Sequence, residues 1–588
     1  MTRYNISHWS VTDSKTGLLL FAQSLEELLA MHSHDSYKVP ALNFHYIGYE
    51  ILNVIDLVED NILDKGNLIP LFTEMRTLFQ QDQTAQKCLG NDFDVIFYKK
   101  NAKGEYDKKP IKIESTKEVE GFFPTLKRGM RFIVSELNRN DQYYHELIQQ
   151  LKTQIIESGK DLLKLDSLYN TAKIIASELI NKGYDQLYIY DCIKQTFFNP
   201  DSPVSTIDIV DTFFSYFPAR EHDYVVYFPL NSIKQKRALE DYGNFEIAEN
   251  VYEMFDSSIP YILKCTCTEI DPYRAREHGL QLINFCLSVN QFIKHNKYDY
   301  SPKYAEIVNK ENQTITFIKR PETPIFQGYT NYSSLEVNDL LDTCLKLNAS
   351  VFQVLQLHSA ALTSKNTDNQ LINLWTAIEV AIPITRKDNL SRINQISNIL
   401  TSALGSDYFA GLLHQFFLDI ASTNEELVEK IEGIDYDGPI ETKLLAILTL
   451  QDYSEVYDTI ALELLSSMPI LARRMHEYKN KWSTTKSIRN AYQAHSERLA
   501  QQIMRIYRTR NMLVHDGTSM PYSDYVLQNL HYYIDSFVRF LSANYKFGYT
   551  SVTTIIDSVQ FQEQLYLQSL SAEEPVNKAN VEKYVLRI

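Results

Sequence analysis

Short apolar runs alternate with turn-rich polar stretches over the first 125 residues. Tyr4 to Val11 and Gly17 to Ala22 flank the turn-rich Thr12-Asp13-Ser14-Lys15-Thr16-Gly17, which predicts a hairpin. A helix is predicted around Leu42 to Leu57. The runs 91–100 and 109–115 flank a polar, Gly-containing segment and predict a second hairpin. From Lys127 to Phe198 the period becomes helical, with Leu147, Leu151, Ile155 and Ile156 on one face. Asn199-Pro200-Asp201 breaks that pattern. Strands are predicted over 222–230 and 260–270, a helix over 279–293 and a hairpin over 304–320. The Pro-containing stretch 320–330 reads as a linker, and beyond it the chain is nearly all helical to about Ala543. No internal repeat at a fixed period is present.

These elements predict a mainly α protein with α+β N-terminal regions and a C-terminal helical bundle. The expected division is a mixed α/β domain at 1–125, a helical region at 126–220, an α+β domain at 221–325, a helical domain at 333–545 and an extension at 546–588.

Composition sharpens this. The chain holds 18 Gly in 588 residues, under half the usual ~7%, which favours helix over loop-rich classes. The net charge of −16 disfavours a chain coated in nucleic acid but leaves room for a local basic site. Six scattered Cys argue against a secreted disulfide framework. Cys265 and Cys267 lack the spacing of a zinc knuckle and read as strand residues on one face. No stretch of ~18 uncharged apolar residues occurs, and the N-terminus has no signal-peptide pattern, so a cytoplasmic protein with no membrane contact is expected.

Most familiar chemistries are excluded by motif. Gly159-Lys160 is followed by Asp161 and lacks the earlier glycine of a phosphate-binding loop. Dinucleotide, zinc-protease and nucleophile-elbow patterns are absent. His32 and His34 have no evident third metal ligand, and Asp92, Asp94 and Lys99 fit a charged hairpin face better than a metal nuclease. No metal and no cofactor is expected.

One segment carries chemistry: Tyr507-Arg508-Thr509-Arg510-Asn511-Met512-Leu513-Val514-His515-Asp516-Gly517. Leu499, Ile503, Ile506, Tyr507 and Val514 recur at helical spacing, and Gly517 is a natural stop. His515 then lies in the last turn, where the helix dipole favours an imidazolium. Asn511 and His515 share a face, whereas Arg510 and His515 are about 140° and ~7.5 Å apart along the helix. They can bracket one phosphate only in a cleft shared with another helix.

Arg510-Asn511-x-x-x-His515 resembles the Arg-x(4–6)-His signature of HEPN domains. The helix Leu371-Ile372-Asn373-Leu374-Trp375-Thr376-Ala377-Ile378-Glu379 and the long α/β region ahead of the bundle are similar to the ApeA-type HEPN branch of bacterial phage defence. The resemblance covers roughly 335–545. It implies a C-terminal HEPN bundle and a metal-independent endoribonuclease, in which the substrate's 2′-OH attacks the adjacent phosphate to leave a 2′,3′-cyclic phosphate. His515 would move protons, Arg510 would stabilise phosphate charge, and Asn511 would hold substrate or imidazole. Arg505, Arg508 and Tyr507 would bind RNA. Glu379 is either a carboxylate orienting Arg510 or a structural one. The resemblance further implies a homodimer, with a phage-derived trigger sensed by the N-terminal region.

Leu471 to Gly517 holds ten Lys or Arg against Glu477, Glu497 and Asp516, a net +7 that fits a phosphate-backbone footprint. Trp482, Tyr492 and Tyr507 interleave with it as candidate base-stacking residues. A solvated helix face is the bland alternative. Arg489 and His495 also fit the signature, but no terminator follows His495, and an exposed basic face is expected there. The rival classes are a non-catalytic HEPN partner module and a helical scaffold with an accidental match.

Overall fold

The computed structural model describes residues 6–12, 14–30, 42–90, 93, 115–231, 236, 239, 245–249, 255, 259–295, 300, 302–319, 340, 342–343, 346, 349–364, 366–383, 391–517 and 520–587. The protein is mostly helical with one small antiparallel sheet. It divides into two compact units. The first comprises 1–178, 203–207 and 328–588, and the second 179–202 and 208–327.

The first unit joins both ends of the chain. Helix Lys15–Leu29 packs on Gln142–Ser158 and on Pro469–Lys481, and Phe44–Glu59 packs on Leu68–Gln81 and Thr116–Asn138. The expected separation of 1–125 from the C-terminal helices is therefore not what forms. Nor is the expected first hairpin: Gly17–Ala22 belongs to Lys15–Leu29. Leu18, Leu19, Leu20, Phe21 and Ala22 are all buried, so this helix is enclosed on every side and shows neither a two-residue nor a 3.6-residue period. The second expected hairpin, His32 and His34, Asp92, Asp94 and Lys99, and the 320–330 linker lie outside the described residues, except that Phe93 is helical. The expected helix near 42–57 forms as Phe44–Glu59, with Asn43 as N-cap accepting the Tyr46 N–H at 3.0 Å.

Helix Lys15–Leu29 is seated by a close approach at Gly17. A Cβ there would come within 2.3 Å of Ser158 Oγ and 2.5 Å of the Ile155 carbonyl oxygen. Gly17→Ala should gain up to ~1 kcal/mol of helix propensity, yet overpacking against fixed backbone costs about 1–3 kcal/mol. A net loss of stability is expected, read as a lowered Tm. An unchanged or raised Tm would contradict this packing.

The second unit holds strands β1 His222–Leu230, β2 Glu246–Glu249, β3 Tyr261–Glu269, β4 Tyr304–Asn309 and β5 Ile315–Lys319, in sheet order β2-β3-β1-β4-β5. The strands expected at 222–230 and 260–270 and the 304–320 hairpin are thus present. Val226, Phe228, Leu263, Cys265, Ile283 and Ile307 form its core beneath helix Pro272–Lys294. Asp271 caps that helix, accepting from the Tyr273 and Arg274 N–H groups at 2.8 and 2.9 Å. Cys265 is buried in this core and Cys267 packs against it, so both point to one side of β3 as their spacing requires.

Candidate active site

The signature lies on a helix spanning Thr485–Asp516. It begins with a reciprocal cap: Thr484 Oγ1 accepts the Ser487 N–H at 3.1 Å and Ser487 Oγ accepts the Thr484 N–H at 3.0 Å. It stops where the sequence places the stop, at Gly517, whose φ of +64° is the left-handed region that favours glycine. Leu499, Ile503, Ile506, Met512 and Leu513 are buried, while Val514, expected on the apolar stripe, is 47% exposed. The helix packs against Thr367–Ala381, Arg392–Gly405 and Ser523–Lys546.

His515 is exposed in the last turn and makes no hydrogen bond or ion pair among the described residues. Arg510 is partly exposed. Its Nη1 donates to Asn511 Oδ1 at 2.9 Å, and its buried Nε has no hydrogen-bond partner among the described residues. Asn511 is buried and its carbonyl oxygen is committed to Arg510, so it orients the guanidinium rather than the imidazole. Tyr507 is partly buried with its ring centroid 5.7 Å from that of Trp375, a core residue.

Arg505 and Arg508 are not where a phosphate-binding role needs them. Both are fully buried. Arg505 Nε donates to Glu50 Oε2 at 3.0 Å, and its Nη2 donates to both Glu74 oxygens at 2.8 Å. Arg508 Nε donates to Glu50 Oε1 at 2.8 Å, and its Nη2 pairs with the same oxygen at 2.8 Å. Burial alone would raise the Glu50 carboxyl, but the two guanidinium groups outweigh it and hold it below its ordinary value. The expectation that these arginines bind RNA is corrected accordingly.

The same correction reaches the rest of the basic segment. Arg474 is buried between Asp419, at 2.6 Å, and Glu27. Arg473 is buried against Asp166 and Glu477, each at 2.8 Å. Trp482 and Tyr492 are 0% and 1% exposed and cannot stack on a base in this conformation. The segment's positive charge is largely balanced inside the fold, by acids at distant positions in the sequence. His495 is fully buried, its ring 3.5 Å from that of Tyr408 and nearly parallel, so the expected exposed basic face is instead a packed histidine.

Glu379 is partly buried and makes no hydrogen bond or ion pair with Arg510 among the described residues. Its backbone carbonyl accepts from Arg392 Nη2 at 2.7 Å; burial pushes the Arg392 guanidinium below its ordinary value, and the Glu379 charge offsets only part of that. Of the two readings left open, the structural one fits. No group of three or more His, Cys, Asp or Glu among the described residues is placed to hold a metal ion. None of the described helices is long and apolar enough to cross a membrane.

No family model, curated protein or solved structure matches the chain.

Proposed function

We propose that the protein is a metal-independent endoribonuclease of the HEPN kind, with Arg510 and His515 as its reacting groups. One observation carries this reading. Within a basic segment whose other signature-helix arginines near the C-terminus are buried on carboxylates, Arg510 lacks a carboxylate partner among the described residues, and His515, five positions on, is exposed and makes no hydrogen bond or ion pair among them. A buried, hydrogen-bonded His515 would have favoured a helical scaffold with an accidental match, and His515 is exposed.

The chemistry follows from residue type. A ribose 2′-OH attacks the neighbouring phosphorus as His515 takes its proton or protonates the leaving 5′-oxygen. Arg510, held by Asn511, faces the non-bridging oxygens as charge builds there. A single helix supplies half a cleft, because the two side chains point about 140° apart. A two-fold contact between copies of this helix end would complete it, and the exposed Val514 beside His515 supplies apolar surface for that contact. Restraint of such a nuclease until a phage-derived trigger arrives fits the remainder of the chain.

Cleavage of RNA is expected to persist in EDTA, and DNA of the same sequence to stay intact, because the nucleophile is the 2′-OH. Incubating both substrates with the purified protein, with and without chelator, checks this. Loss of RNA cleavage in EDTA with recovery in Mg²⁺ would overturn the mechanism.

A further inference from the structure

Between Gly279 and Ile293, helix Pro272–Lys294 carries no charged residue. Its inner face, with Ala275, Ile283, Cys286 and Leu287, is buried against the sheet of the second unit. A second apolar stripe runs beside that face. Leu282, Phe285, Val289 and Phe292 follow one another at steps of three, four and three residues, and with Ile293 they fall within about 100° of the helix surface. Phe285, Phe292 and Ile293 are 68%, 81% and 66% exposed, and Leu282 and Val289 are half-buried. Monomers seldom leave a contiguous apolar patch of several hundred Å² in water, so the stripe marks an interaction surface.

Its spacing is that of a heptad seam, in which alternate steps of three and four residues seat each apolar side chain in a hole on a facing helix. What faces it is decided by the pattern of the stripe itself. In a two-fold antiparallel pairing centred at the level of Leu287, Phe285 meets Val289 of the second copy, and Leu282 meets Phe292 of the second copy. Every aromatic ring then lies opposite a smaller aliphatic side chain, which fills a seam without voids or clashes. Parallel pairing in register would instead set Phe on Phe and Val on Val. The antiparallel sense also opposes the two helix dipoles, and it brings exposed His295 at the C-terminal end of one helix toward Glu277 near the N-terminal end of the other. Gln281, Asn284, Ser288 and Gln291 stand beside the stripe, so no like charges confront one another across the contact. A membrane surface fits less well, because helices that lie on one carry lysine and arginine along their polar face.

We propose that this face is a self-association surface, on which the same helix of a second copy docks antiparallel. The helix is already folded on its sheet, so pairing carries no cost of helix formation. The three most exposed side chains present roughly 400 Å² of apolar surface, about half of what one partner gives to a standard interface. Reversible association in the micromolar range follows, not an obligate dimer. This contact is independent of the ribonuclease reading and of the contact placed at Val514.

The test is sedimentation equilibrium of the full chain across the micromolar range, in a Val514→Asp background that removes the contact proposed at the signature helix. That protein should associate reversibly to a dimer. Phe292→Glu in the same background should weaken association at least about tenfold, while its Tm stays level or rises because the ring it removes is open to solvent. Phe285→Glu and Val289→Lys should each weaken it as well. An equimolar mixture of those two should recover it, since their new charges face each other only in the antiparallel pairing. A Val514→Asp protein that stays monomeric throughout, equal association with and without Phe292→Glu, or no recovery in the mixture would overturn the proposal. So would a monomer that binds phosphatidylglycerol vesicles and loses that binding in Phe292→Glu. His515→Ala should associate as wild type does, so failure here leaves the ribonuclease reading standing, and the reverse.

Discussion

Glu50→Ala is expected to destabilise the protein by about 3–5 kcal/mol, the usual cost of removing one partner from a buried ion pair. Glu50 is fully buried and, among the described residues, is the only carboxylate bonded to Arg508, while Arg505 keeps Glu74. Its loss strands a guanidinium in the interior of a chain whose total stability is on the order of 5–15 kcal/mol. The effect has a defined pH signature. The folded carboxyl titrates below its ordinary value of 4.5, so its contribution is full above that value and is lost as pH falls below it. Denaturant melts should therefore show the wild-type advantage over Glu50→Ala narrowing below about pH 4.5. Replacing Glu50 and Arg508 together by apolar residues should recover part of the loss. A single variant within ~1 kcal/mol of wild type at pH 7 would contradict the buried network.

The second large effect is chemical. His515→Ala should lower RNA cleavage by roughly 10²–10⁴-fold, the range for removing a general acid–base group, and Arg510→Ala should act similarly through lost charge stabilisation. Neither should lower stability by more than ~1 kcal/mol, since both lie at a helix end with no buried ion pair to break. Arg489→Ala should keep catalysis. His495→Ala should instead unfold more readily, because its ring fills a packed site against Tyr408. Arg505→Ala and Arg508→Ala should lose activity only in step with lost fold. Thermal melts alongside cleavage rates separate the two groups. If His515→Ala cuts RNA as wild type does, the site assignment is wrong.

The line between these groups marks what the sequence could and could not tell. Gly517 ended the helix as expected because a left-handed residue after a periodic run is a local signal. The β1 and β3 strands were likewise legible, since short β-branched and aromatic runs bounded by turns are local too. Arg505 and Arg508 were not, because helical spacing assigns a face without saying what packs against it. Their partner Glu50 lies 455 positions from Arg505. Trp482 and Tyr492 were misplaced for the same reason: an aromatic among basic residues suits a base-stacking face and a core equally well. Lys15–Leu29 failed differently, since a helix buried on all sides has no amphipathic period to read. The −16 net charge concealed a complementary pattern, in which acids of the N-terminal helices neutralise arginines of the C-terminal ones inside a single unit.

On the proposed mechanism, Arg510 and His515 cut RNA through its own 2′-OH. It is tested most directly by incubating the purified full chain with total RNA in EDTA, His515→Ala in parallel, and mapping the product ends. New 2′,3′-cyclic phosphate and 5′-hydroxyl termini, present with wild type and absent with His515→Ala, are the expected result. Products ending in 3′-hydroxyl and 5′-phosphate, or identical cleavage by His515→Ala, would contradict it.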